Sequence, residues 1–116
     1  MNKFKELLFL TKIKGLGKVN INKKYLEQIQ KSEDYSDFIS NSTIKSDYPI
    51  EKINDAINIT EKSYDSIINE SEISVITVFD EYYPKKLNDM GNKKPLFLFV
   101  KGNMDALSKA NMAVIG

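Results

Sequence analysis

The sequence predicts an α+β protein, with a helical N-terminal domain over residues 1–71 and a strand-bearing domain over residues 72–116. Two observations carry this. Through residue 69 the apolar side chains recur at intervals of three, four or seven, the spacing of helices with one buried face. From residue 73 the pattern changes to short apolar runs rich in strand formers, which places the boundary near residues 70–73.

Phe4, Leu7, Leu8 and Phe9 share one face at helical spacing and predict a first helix over 3–12. Ile13-Lys14-Gly15-Leu16-Gly17 interrupts it. Val19, Ile21, Tyr25, Leu26 and Ile29 then give a second helix over 20–30. A short third helix follows in 32–39, with Ser32 as its cap, acids in its first turn, and Phe38 and Ile39 on the buried side. Asn41-Ser42-Thr43 reads as a loop. Tyr48-Pro49 leads into a long helix over 50–69, proline being tolerated in a first turn. Its acids, Glu51, Asp55, Glu61, Asp65 and Glu70, are expected to face water.

In the second domain, Ile73 to Val78 reads as a strand, Pro84–Met90 as a short helix and Met90-Gly91-Asn92 as a turn. Leu96-Phe97-Leu98-Phe99-Val100, bounded by Pro95 and Lys101-Gly102-Asn103, is a buried strand. Met104 to Leu107 is a helical turn with Asn103 as cap, and residues 112–116 are a further strand ending on Gly116. Apolar runs of this kind belong at the centre of a parallel sheet, covered on both faces. A phosphate site in such a sheet needs a strand, a glycine turn and a helix N-terminus. The strand and the glycine are here and the rest would follow Gly116, so a truncated chain is expected.

The 116 residues are 41% hydrophobic and 28% charged, ordinary for a globular protein. No apolar run approaches the ~20 residues of a membrane span, and the lysines within MNKFKELLFLTKIKG do not fit a signal peptide. The lack of cysteine and histidine excludes disulfides, Cys/His zinc sites and histidine acid–base catalysis. No cofactor is expected. The net charge of +1 hides a segregation: residues 1–31 hold eight lysines against two glutamates, +6, while residues 32–72 hold ten acids against three lysines, −7. All 17 basic residues are lysine, so the bidentate reading of guanine and phosphate by arginine is missing, and cations act only as point charges.

Tyr83-Pro84-Lys85-Lys86-Leu87, then Pro95 to Asn103, then Ala113-Val114-Ile115-Gly116 resemble the entry segment of DNA-processing proteins of the DprA/Smf family. The resemblance covers about residues 73–116. It implies that residues 72–116 open a Rossmann-like α/β domain. It also implies a non-enzymatic role: binding incoming single-stranded DNA and loading a RecA-type recombinase in natural transformation. The protein would be cytoplasmic, and a homodimer when complete. In the family the glycine ending the last strand opens the loop that receives DNA phosphate, followed by Ser/Thr and Arg; Gly116 holds that place here.

Helix, Gly15-Leu16-Gly17 turn and helix also resemble a SAM-like or helix-hairpin-helix domain, whose turn presents backbone N–H groups to a nucleic-acid phosphate. Gly15 and Gly17, with Lys14, Lys18, Lys23 and Lys24 for attraction, are the candidate DNA-binding residues. The bland alternative is that two packed helices need a tight connection. Tyr82 and Tyr83 could stack on bases; Tyr83-Pro84 reads more simply as a core anchor, and Asp80-Glu81 as a turn and cap. Two rival functions are a stand-alone helical interaction module and a fragment of a Rossmann-like nucleotide-cleaving enzyme.

Overall fold

The computed structural model describes residues 3–70, 72–101 and, for the backbone, 113–114. Helix α1 (Phe4–Thr11) is followed by α2 (Lys18–Asn20), a π-helical segment (Ile21–Tyr25) and α3 (Leu26–Lys31), which run on as one helix. Then come α4 (Tyr35–Asn41), α5 (Ile44–Asp47) and the long α6 (Ile50–Ile68). Strand β1 (Ile73–Thr77), a 3-10 helix (Lys85–Lys93), β2 (Phe97–Lys101) and β3 (Ala113–Val114) complete the order. The α+β class is as the sequence predicts.

Helix α1 departs from the one-faced helix its sequence suggested. Phe4, Glu6, Leu7, Leu8, Phe9 and Leu10 are all buried. With Thr11 exposed and Lys5 partly so but the other six residues buried, the helix lies mostly inside its domain rather than on it. On one side Phe9 meets the rings of Tyr35 and Phe38 edge-on. On the other, Phe4 packs edge-on against Phe97 and Phe99 of β2, with ring centroids 5.0 and 6.0 Å away. The helices and the strands therefore share a core, which Leu96 also enters.

Strand β2 is buried on both faces for this reason. Phe97 and Phe99 turn to α1, while Leu98 and Val100 close a second small cluster with Ile76 and Tyr83. Tyr83 is the anchor expected of it, its Oη donating to the carbonyl of Pro95. Asp80 closes the turn after β1, its Oδ2 accepting from the Thr77 backbone N–H at 2.6 Å.

The parallel arrangement is not found. β1 and β2 pair antiparallel, from Ile73 opposite Lys101 to Thr77 opposite Phe97, and β2 pairs β3 antiparallel through Val100 and Val114. Parallel neighbours need a crossover, usually an amphipathic helix. The link from β1 to β2 holds only turns and a 3-10 helix broken at Gly91 (φ 60), in place of the short helix over 84–90 and the turn at 90–92 that were expected. Within that 3-10 helix only the half-buried Leu87 joins an apolar cluster, so it has no stripe with which to cover a sheet.

One cap also differs from expectation. Ser32 closes the helix before it, donating to the Gln28 carbonyl at 2.8 Å. Asp34 caps α4 instead, accepting from the Asp37 N–H at 2.8 Å. The unforeseen α5 buries Ile44. In α6 the buried face is Ile53, Ala56 and Thr60, and the acids along it are exposed as predicted. The helical turn expected at 104–107 lies outside the described residues.

Because Phe4 joins the two parts, Phe4→Ala should cost about 3–5 kcal/mol. In urea denaturation the helical and near-ultraviolet signals should shift together; loss of one signal alone would mean that the two parts do not share a core.

Candidate nucleic-acid interface

The link from α1 to α2 is short and irregular. Lys12 ends α1, Ile13 and Leu16 point inward, and Lys14, Gly15 and Gly17 are exposed. Gly15 has φ +94, in the left-handed region where a side chain is strained. Gly17 has φ −97 and caps α2 with no side-chain partner; a Cβ built there would meet nothing within 4 Å. The first glycine is thus required by the turn, while the second leaves open space above the N-terminus of the helix spanning 18–31. The link is held from behind by α6, where Lys52 Nζ donates to the Lys14 carbonyl at 3.4 Å.

Lys14, Lys18 and Lys23 are exposed, and none forms an ion pair among the described residues. Lys14 and Lys18 flank the two glycines, and Lys23 lies further on, in the π-helical segment. Gly116 lies outside the described residues. Lys24 is already engaged. Its Nζ is 2.9 Å from Asp47 Oδ2, which also accepts from Tyr25 Oη at 2.7 Å and from Thr43 Oγ1 at 2.7 Å. Hydrogen bonds from Tyr25, Thr43 and Lys24, in that order, hold the Asp47 carboxyl down at about 2. The same contact works with burial to push the Tyr25 phenol up. This cluster ties the helix over 18–31 to α5.

The strand-bearing part is clamped to the same helix. Asn22 Nδ2 donates to the carbonyls of Asn92 at 2.9 Å and Lys94 at 3.2 Å. The 3-10 helix and the start of β2 therefore lie beside the glycine link. Two open grooves result, one of about 450 Å³ bordered by Leu16, Lys18 and Phe97, the other of about 520 Å³ bordered by Lys12, Lys62 and Phe99. Lys12, Lys62, Phe97 and Phe99 were not singled out in the sequence. Their positions are far apart along the chain and carry no local signal.

Two features of the sequence, the glycine-and-lysine link and the strand segment, thus meet on one lysine-bearing face of an α+β protein. Residues 74–116 match the family model described as DNA recombination-mediator protein A. The match takes in β1, the Tyr83-Pro84 anchor, the 3-10 helix and β2, and agrees with the DprA/Smf resemblance of the same stretch. It supports a setting in DNA processing and recombination. Neither a curated protein nor a solved structure matches the chain. Among the described residues, no helix is long and apolar enough to cross a membrane.

Gly15→Ala should destabilise the fold by about 1–2 kcal/mol, the cost of a side chain at positive φ. Gly17→Ala should change stability by less than about 0.5 kcal/mol. Thermal melts of both variants check this; equal losses would show that Gly17 is also required by the turn.

Asp47 gives a pH dependence with a definite sign. Its folded value lies below the ordinary 3.8, so its contribution is fully present above that pH and is lost as pH falls towards about 2. Asp47→Asn should therefore narrow the stability gap between pH 5 and pH 2 relative to the parent, measured by urea titration at both pH values.

Proposed function

We propose that the chain serves a DprA/Smf-like DNA-processing protein, which binds single-stranded DNA and loads a RecA-type recombinase in natural transformation. The observation that carries this reading is the family match over residues 74–116. The role is one of binding and delivery rather than catalysis, in keeping with the family's description as a recombination mediator. The setting is the cytoplasm, and the protein acts as a homodimer. Residues 1–71 form its helical SAM-like domain and residues 72–116 belong to its Rossmann-like domain.

In this reading the DNA backbone meets Gly15, Gly17, Lys14, Lys18 and Lys23, with Gly116 adding a second phosphate position. Support comes from Lys14, Lys18 and Lys23, which form no ion pair among the described residues, and from the open space over Gly17. A phosphate oxygen there would face the first backbone N–H groups of a helix, which intrahelical bonding leaves unmatched. Point-charge lysines without arginine give attraction without base readout, so binding should be independent of sequence.

Fluorescence anisotropy with labelled oligothymidylate tests this. Affinity should fall with salt at a slope of about −0.7 per phosphate contact. Lys14→Ala with Lys18→Ala and Lys23→Ala should weaken binding and flatten that slope. Binding that ignores both salt and these three changes would remove the proposed interface.

A further inference from the structure

The two grooves beside the glycine link share residues. Thr11 and Phe97 line both, so they meet there to form one trough that crosses from the helical part to the sheet. At one end the trough is bordered by Leu16 and Lys18, next to Gly17. At the other it is bordered by Lys12, Lys62 and the ring of Phe99. Phe97 and Phe99 are each half-buried, with ring centroids 5.5 Å apart. Among the described residues no carboxylate lines either groove, although the chain carries 16 acidic residues against 17 lysines. Lys12, Lys18 and Lys62 form no ion pair among the described residues.

A ligand for such a trough carries spaced negative charge and flat apolar groups. From this geometry we infer that the trough is a path for single-stranded nucleic acid. Phosphates are neutralised by Lys18, Lys12 and Lys62, and bases are received at Phe97 and Phe99. Aromatic platforms inside a lysine-bearing groove hold a single strand without reading its sequence, since every base offers a stacking face. A duplex keeps its bases paired and stacked on one another, so it gains only the phosphate contacts. The trough therefore selects single strands, and it does so with residues from both parts of the chain. This inference rests on DNA being the ligand, but it uses Lys12, Lys62, Phe97 and Phe99, which the glycine link does not.

The test is anisotropy with labelled oligothymidylate and with a blunt duplex of the same length, on the full chain and on Phe97→Leu, Lys12→Gln and Lys62→Gln. Single-strand binding should exceed duplex binding. Phe97→Leu should weaken it by about tenfold, and each lysine change should lower the salt slope by about 0.7. Lys62 is exposed, so its variant should keep the parent melting temperature and reports even where Phe97→Leu unfolds.

Binding that responds to Lys14 and Lys23 but not to Lys12, Lys62 or Phe97 would overturn the trough and leave the glycine-link interface standing. The opposite pattern would support the trough and remove the link. Equal affinity for duplex and single strand would overturn the stacking role. Absence of binding to either, or binding of a long-chain fatty acid in place of the oligonucleotide, would overturn both readings.

Discussion

Helix α1 buries six of its eight residues, and the rest of the fold follows from that. A short helix bearing Phe4, Leu7, Leu8, Phe9 and Leu10 must be wrapped on every side to keep those groups dry. The helical part supplies only part of the wrapping, through Tyr35, Phe38 and the inner face of α6. Strand β2 supplies the remainder by laying Phe97 and Phe99 against Phe4. Even the one buried carboxyl in α1, Glu6, is accommodated: burial pushes it up, while its own backbone and Lys3 hold it back.

The same wrapping sets what the surface can do. Because β2 is drawn against α1, the residues that precede it come to rest on the helix over 18–31, where Asn22 fastens them. The glycine link is anchored by the buried Ile13 and Leu16, and Lys52 of α6 reaches the Lys14 carbonyl at 3.4 Å. Lys12 and Lys18, at either end of the link, thus stand beside aromatic rings that come from far along the chain. A lysine-bearing link alone would be a common surface feature; its position next to a strand with two half-buried rings is what gives the face a chemical character.

The sequence was most legible where a pattern was long. Helix α6 was found almost to the residue, because Ile50, Ile53, Ala56, Ile57, Tyr64, Ile67 and Ile68 recur along its whole length and its acids keep to one side. It was less legible where short polar residues compete. Ser32, Asp34, Ser42 and Thr43 are all able to cap, and the sequence does not rank them; Asp34 takes the role at α4 because Ser32 is already bonded to Gln28. Helix α5 has a single buried anchor, Ile44, too little for a period to be recognised. Strand direction was not legible at all. An apolar run such as Leu96 to Val100 fits a parallel or an antiparallel neighbour equally, provided both its faces are covered.

By itself the sequence determined the class of the protein, the place where helix gives way to strand, and the glycine and lysine content of the α1–α2 link. Each of these is local, written in periodicity or in a backbone angle that only glycine adopts freely, as at Gly15. The tertiary structure alone decided that α1 is buried on most of its surface, that the strands run antiparallel, and that Lys24 pairs with Asp47 while Lys12, Lys18 and Lys62 form no ion pair among the described residues. It also decided that Phe97 borders both grooves. These are facts about which distant residues meet. Apolar burial drives such meetings without direction, so they are settled only by how all the faces pack at once.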